Sequence, residues 1–167
     1  MRHALPLALL ATTLLAVPAA QAADDPLLSR LEGTWIGQGS YKQSASAAQE
    51  RIYCRITNTL VQNGKALQQR GRCSVASGSG SIDGTITAKG GGSYSGEINS
   101  LASVGPATLS GSGSGNRLTM NMTFVDATTK KKVSAVSTTT LTGSGYRLTT
   151  RRQDGGWTGS DISFTAK

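Results

Sequence analysis

Strict alternation of apolar and polar residues is the sequence feature that most constrains how this chain can fold. It is clearest at residues 117–125, where apolar side chains from Leu118 to Phe124 occupy every second position. The same pattern recurs at residues 81–89 and 158–166. A period of two predicts a β-strand that places one face in a core and the other in water.

Glycine-rich turns divide most of the chain into ten segments of this kind. The predicted strands cover residues 33–43, 50–62, 65–76, 81–89, 93–99, 106–111, 116–126, 131–142, 145–152 and 158–166. A short N-terminal helical turn is predicted at residues 25–32. A meander leaves two edge strands unpaired unless it closes on itself. The predicted fold class is therefore all-β, a single antiparallel up-and-down meander that closes into a barrel of about ten strands.

The amino-acid composition argues against helical folds. Gly, Ser and Thr make up 61 of the 167 residues, and such residues are poor helix formers, which excludes a helical bundle or coiled coil. Disorder is the alternative, because SGSGS runs at residues 77–81 and 110–114 also occur in flexible linkers. Both runs are short and border alternating segments, so we interpret them as turns.

The first 22 residues have the pattern of a cleaved signal peptide. Arg2 and His3 precede the apolar stretch 4–17, and Ala20-Gln21-Ala22 is a small-x-small cleavage signal. A buried N-terminal helix is the alternative interpretation. No cysteine follows the cleavage point, so a lipidated lipoprotein is not expected. The sequence predicts a periplasmic or secreted protein.

Cleavage at this point leaves residues 23–167 as a single β-barrel domain. The apolar stretch is too short to span a bilayer comfortably and no later segment resembles it, so a membrane-spanning protein is not expected. The only histidine of the chain is His3, so the mature domain has none. That excludes Ser-His-Asp, Cys-His and histidine-ligated metal chemistry. The nine acidic residues form no calcium-loop motif, and we expect no enzyme activity, no cofactor and no metal site.

Two cysteines flank the strongest hairpin signal in the chain. Asn63-Gly64 lies between two strand-like segments and favours a two-residue turn. With those residues as the loop, the numbers of paired positions add up to 127, as 54 and 73 do. Cys54 and Cys73 should then face each other across the hairpin. In an exported protein this pair is expected to form a structural disulfide.

The same register assigns the two faces of the hairpin. The face taken as inner carries Cys54, Ile56, Leu60, Leu67 and Cys73. Asn58 and Gln69 would meet on this inner face, where buried amides need hydrogen-bond partners or water. Two interpretations remain open for that pair, a polar floor in a ligand cavity or a barrel end open to solvent.

The outer face of the hairpin is basic. Arg55 should lie opposite Arg72, with Arg70 and Arg51 on the same side. Like charges directly opposite each other are destabilising, which suggests an anionic partner, although a solvated basic face is the alternative. Nucleic acid is not expected, because the protein is predicted to be exported and only Tyr53 adds an aromatic ring. Anionic envelope polymers or lipid head groups fit better.

The segment LEGTWIGQG at residues 31–39 resembles the calycin superfamily of β-barrels, which includes lipocalins, fatty-acid-binding proteins and nitrobindins. Its W-x-G-x-G pattern is most similar to nitrobindins. The resemblance implies a tryptophan on the first strand, here Trp35, which either plugs the barrel base or contacts a ligand. In lipocalins an arginine near the last strand packs over this tryptophan, which points to Arg151 or Arg152. Nitrobindins bind haem through a histidine, which the mature chain lacks, so haem ligation is not carried over.

Two functions follow from these observations. The first is an exported, non-enzymatic β-barrel that binds a small apolar or amphipathic ligand in its lumen, because ten strands enclose more volume than side chains fill in eight. The predicted lumen residues are Trp35, Tyr41, Asn58, Leu60, Leu67, Gln69, Met120, Met122, Phe124 and Tyr146. The alternative is an envelope interaction or inhibitor-type protein that docks on an anionic surface or partner. The predicted docking residues are Arg51, Arg55, Arg70 and Arg72.

Overall fold

A computed structural model describes residues 24–99, 106–126 and 130–167. In these ranges the chain forms one helix, α1 (Pro26–Ser29), and ten strands. The strands are β1 (Gly33–Tyr41), β2 (Glu50–Val61), β3 (Ala66–Val75), β4 (Gly78–Gly90), β5 (Ser93–Asn99), β6 (Pro106–Ser114), β7 (Arg117–Val125), β8 (Lys132–Leu141), β9 (Gly145–Arg152) and β10 (Thr158–Ala166). The predicted signal peptide, residues 1–22, lies outside the described residues.

The ten strands form a single closed barrel in which each strand pairs antiparallel with its neighbours in sequence. Strands β1 and β10 complete the barrel, with Trp35 opposite Ala166 and Tyr41 opposite Ser160. Neither of these strands is left with an unpaired edge. The predicted fold class, an up-and-down antiparallel barrel of about ten strands with a short N-terminal helix, is confirmed.

The β2–β3 hairpin has the register that the sequence predicts. Asn63 and Gly64 have φ values of 53° and 73°, the left-handed backbone that a type I′ turn requires at both central positions. Cys54 therefore lies opposite Cys73, and the two form a disulfide with a Cα–Cα distance of 4.1 Å.

The SGSGS runs belong to strands, so their interpretation as turns is wrong. Strand β4 begins at Gly78, and β6 continues to Ser114. In β6 the serines point outward, and the glycines occupy inward positions close to the neighbouring strand. A Cβ on Gly111 would collide with the backbone carbonyl of Thr119. An S-G-S-G-S run is thus itself a period-two strand pattern, with glycine as the inward residue.

The segment that contains α1 closes one end of the barrel. The Asp25 side chain caps α1 by accepting hydrogen bonds from the backbone N–H groups of Leu27 and Leu28. Both leucines are buried in the main core. The backbone N–H of Asp25 also donates to the carbonyl of Gly64 in the β2–β3 turn, at 3.1 Å. We call this the closed end of the barrel.

Candidate functional site

The barrel lumen contains a cavity of about 210 Å³. Apolar side chains from strands all around the barrel make up most of its wall. They include Ile52, Ile86, Leu109, Met120, Leu148 and Phe164. The disulfide-bonded Cys54 and Cys73 also line it. The inward face that the alternation predicts is therefore the wall of a cavity as well as a core.

The predicted lumen residues divide into two groups. Six of them line the cavity, namely Tyr41, Gln69, Met120, Met122, Phe124 and Tyr146. The other four, Trp35, Asn58, Leu60 and Leu67, belong to the wall of the closed end and do not line the cavity. The reason is the segment containing α1, which places Leu31 over that part of the lumen: its carbonyl accepts hydrogen bonds from both Trp35 and Asn58.

Two aromatic rings form the floor of the cavity at the closed end, and a third ring packs beneath them. Tyr146 stacks on Phe164 with ring centroids 4.5 Å apart and meets the edge of Trp35 at 5.1 Å. Trp35 is buried, and its indole N–H donates to the Leu31 carbonyl at 2.9 Å. Trp35 is therefore a plug at the barrel base, the first of the two roles that the calycin resemblance offers.

A hydrogen-bond network reinforces this floor. The Asn58 amide donates to the Leu31 carbonyl at 2.8 Å, and its oxygen accepts from the Gln69 amide at 3.2 Å. Burial raises the pKa of the Tyr146 hydroxyl above its usual range, and a hydrogen bond with Asn58 partly opposes that rise. Asn58 is only 2% exposed, so the Asn58–Gln69 pair is a polar floor beneath the cavity and not a barrel end open to solvent.

Arg152 occupies the opposite end of the lumen, which we call the mouth. Its guanidinium carbon lies 5.4 Å from the ring centroids of both Phe124 and Trp157, within the range of cation–π attraction. Its Nε and a terminal nitrogen donate to the Asp154 carboxylate at 2.9 and 2.7 Å. The hydrogen bond to Asp154 raises the pKa of Arg152, and the same bond lowers the pKa of Asp154. The Arg152 side chain is 15% exposed.

The expectation that Arg151 or Arg152 packs over Trp35 is wrong. Both residues end strand β9, whereas Trp35 meets Tyr146 near the beginning of that strand. Arg152 points into the lumen but packs on Trp157, and Arg151 is on the exposed face. About six residues of extended strand separate Arg152 from Tyr146, roughly 20 Å, which is too far for the expected contact.

The mouth was not predicted from the sequence. Arg152 and Trp157 both line the cavity, as do Lys42 and Gln43 from the β1–β2 connection. One signal was present, because Arg152 continues the inward alternation of Tyr146 and the residues after it. Trp157 lies in a glycine-rich connection, where no alternation indicates whether a side chain points inward or outward.

The predicted docking arginines lie on the outer wall of the barrel. Arg51, Arg55, Arg70 and Arg72 are all exposed, and Arg55 lies directly opposite Arg72. Arg70 makes an exposed ion pair with Asp83 at 3.6 Å. Arg72 donates to the Ser79 hydroxyl at 2.7 Å. This patch and the lumen are separate, because the arginines and the cavity lie on opposite faces of the same strands.

The fold and the cavity define a closed, ten-stranded, up-and-down β-barrel with a mainly apolar interior. The chain matches no protein-family model. None of the curated proteins compared with it is significantly similar. Within the described ranges, no group of three or more His, Cys, Asp or Glu side chains is placed to hold a metal ion. Those ranges contain no helix that is both long and apolar enough to cross a membrane.

Proposed function

We propose that this protein is an exported, non-enzymatic β-barrel that binds a small apolar or amphipathic molecule in its lumen. The observation that carries the proposal is the cavity of about 210 Å³ between the aromatic floor and Arg152 at the mouth. A core that only stabilises the fold is packed almost without voids larger than a water molecule. A space of this size with an apolar wall therefore favours an occupant.

The cavity volume bounds the size of the ligand. An apolar cavity of about 150 Å³ holds benzene, and pockets for drug-sized ligands begin at roughly 300 Å³. The space measured in this barrel, about 210 Å³, lies between these values. We expect a ligand with one or two rings or a short hydrocarbon chain.

Polar groups in the wall support an amphipathic ligand. Ser137 and Thr139 on β8 and Thr150 on β9 line the cavity, and Ser137 lies directly opposite Thr150. Gln69 adds an amide at the floor. A few polar groups in a mainly apolar wall are typical of small-molecule sites, because they fix the orientation of the ligand.

The calycin-like assignment and the export are part of this proposal. The barrel fold and the segment from Gly33 to Gly39 support a calycin-like protein, and the Cys54–Cys73 disulfide fits an extracellular or periplasmic location. The apolar N-terminal stretch supports secretion. N-terminal sequencing of the protein from a membrane-free extracellular or periplasmic fraction tests the predicted cleavage after Ala22.

Ligand binding is tested with a substitution that fills the cavity, and the same substitution at the neighbouring outward residue is the control. Ser137 points into the lumen and its neighbour Thr138 points outward on the same strand. With the two-ring amine 1-aminonaphthalene as the fluorescent probe, we expect the wild type and Thr138→Phe to shift its emission to shorter wavelength. Ser137→Phe should weaken binding by at least roughly tenfold, because the new ring occupies the probe volume.

Two results would overturn the proposal. One is a wild-type protein that neither binds 1-aminonaphthalene nor carries a bound molecule in native mass spectrometry. The other is equal probe affinity in the Ser137→Phe and Thr138→Phe variants with both folds intact by circular dichroism, because the probe would then bind outside the lumen.

A further inference from the structure

Four exposed arginines form a compact cationic patch on the outer face of β2 and β3. We call Arg51, Arg55, Arg70 and Arg72 the arginine stripe. Cys54 and Cys73, the adjacent inward pair, have a Cα–Cα distance of only 4.1 Å, which marks a non-hydrogen-bonded pair. The next pair along the ladder, Arg55 opposite Arg72, is then the wider type, with about 5.5 Å between Cα atoms. Their charged groups therefore extend from neighbouring points on one wall.

Most of the charge in the stripe lacks internal compensation. Among the four arginines, Arg70 forms the one ion pair found within the described ranges, with Asp83, and the side chains of that pair are 67% and 60% exposed. In the part of the chain that the structure describes, Arg51 and Arg55 take part in no ion pair, and Arg72 hydrogen-bonds only the neutral Ser79. Like charges placed directly across a ladder oppose folding. An anionic partner would remove that repulsion.

The surroundings of the stripe add apolar and neutral surface. Tyr53 lies between Arg51 and Arg55 on the outer face of β2 and is 48% exposed, one of the large apolar side chains that the barrel exposes. On β1 the outward residues opposite this row are Ser40, Gln38 and Ile36. This row therefore places an aromatic ring between two cationic side chains, and both kinds of side chain are enriched at membrane interfaces.

The shape of the stripe points to an extended partner. Arg51 and Arg55 are four residues apart on one strand, which separates their Cα atoms by about 13 Å. The arginines stand on a barrel wall and do not line the lumen cavity. One small anion cannot reach all four guanidinium groups over that span. A surface that carries many phosphates can, because each planar guanidinium pairs with a phosphate in bidentate geometry.

We propose that the arginine stripe docks the barrel on a membrane surface rich in anionic phospholipids. The guanidinium groups bind lipid phosphates, and the Tyr53 ring lies at the head-group level beside them. The attraction is largely electrostatic and acts within a Debye length of the surface, so it weakens as salt rises. This interaction uses the outer wall only and does not depend on the lumen being occupied.

Vesicle sedimentation tests this docking. The vesicles contain either equal parts phosphatidylglycerol and phosphatidylcholine or phosphatidylcholine alone. We expect the wild type to sediment with the first and not with the second, and to be released when NaCl rises from about 50 mM to about 500 mM. The variant with Arg51, Arg55, Arg70 and Arg72 changed to Gln should partition at least roughly tenfold less.

A charge-matched control separates the stripe from net charge. The control variant removes the same charge on the other side of the barrel, on β7 to β9 and the β7–β8 connection. Its four exposed cations changed to Gln are Arg117, Lys131, Lys132 and Arg151. This control should partition within about twofold of the wild type, because salt screens charges that far from the bilayer. All chains share the same N-terminal residues, so the apolar stretch 4–17 contributes equally wherever it is retained.

Four results would overturn the proposal. The first is equal partitioning of the stripe variant and the wild type, and the second is an equal loss in the stripe variant and the control. The third is wild-type binding to heparin or polyphosphate with none to the anionic vesicles, which would indicate a soluble polyanion. The fourth is sedimentation of the wild type with the anionic vesicles that does not fall as NaCl rises, since salt screens an attraction between guanidinium groups and phosphates.

Discussion

Gly37 lies directly against the ring of Phe164, and a Cβ at residue 37 would collide with that ring. The glycine therefore provides the space in which Phe164 stacks on Tyr146. That stack forms the floor of the cavity, so one residue without a side chain on β1 determines how the aromatic rings of β9 and β10 are arranged.

Gly37→Ala should destabilise the barrel by about 1–3 kcal/mol, because the added methyl group overpacks a closely filled site. Urea denaturation measures the change. Gly143→Ala is the matched control, since a Cβ there has no atom within 4 Å. Equal denaturation midpoints for the two variants would show that the Phe164 ring moves aside at little cost.

Asn58→Leu should cost about 1–3 kcal/mol of unfolding free energy, because it leaves the Gln69 amide without its acceptor in a part-buried site. The double variant with Gln69→Leu should recover part of that loss, since both polar partners are then gone. The coupling energy from the double-mutant cycle measures the contact. Asn121→Leu, on the exposed face of β7, serves as the control and should change stability by less than about 0.5 kcal/mol.

Removal of the disulfide should cost about 3 kcal/mol, since Cys54 and Cys73 are 19 residues apart and a loop of that size gives roughly this stabilisation. Thermal or urea denaturation of the Cys54→Ala/Cys73→Ala variant measures it. Dithiothreitol should lower the stability of the wild type and leave the variant unchanged. A response of the variant to dithiothreitol would mean that the reductant acts elsewhere.

Tyr94 should make the attachment of α1 sensitive to alkaline pH. Its hydroxyl donates to both carboxylate oxygens of Asp25, at 3.1 and 3.0 Å. Burial first, and then the hydrogen bond and negative charge of Asp25, raise the pKa of Tyr94 to about 12. The unfolded value is about 10, so the stabilisation is complete below pH 10 and is lost as pH rises through about 12.

The measurement compares wild type with Tyr94→Phe by urea denaturation at about pH 9 and about pH 11.5. The wild type should be more stable at the lower pH, and its advantage should shrink at the higher one. Other groups that titrate, including Tyr146, are present in both proteins and cancel in the difference. An advantage of the same size at both pH values would contradict a role for Tyr94 ionisation.

Local sequence patterns predict most of the fold. The Asn63-Gly64 turn determines the register of Cys54 and Cys73 because only the two ends of one hairpin are involved. The SGSGS runs show no strand signal in the sequence because glycine contributes no hydrophobicity to a period-two pattern, although the neighbouring strand backbone at Gly111 requires a glycine. Alternation therefore identifies strands well where the inward residue is apolar.

The ends of the lumen could not be derived in the same way. The closed end depends on the Leu31 carbonyl, which accepts hydrogen bonds from both Trp35 and Asn58. The mouth depends on the packing of Arg152 with Trp157. These contacts join a connecting segment to the barrel wall, and their geometry follows from how the chain closes and not from the periodicity of any one strand.

Barrel closure also has a consequence for how the chain folds. Every neighbouring pair in the barrel joins consecutive strands except β1 with β10, so most of the sheet can grow hairpin by hairpin at low loop-closure entropy. The seam between β1 and β10, where Gly37 faces Phe164, brings together the most distant parts of the sheet. We therefore expect seam formation to limit the folding rate, and a force applied between the two ends of the barrel sheet to open this seam first.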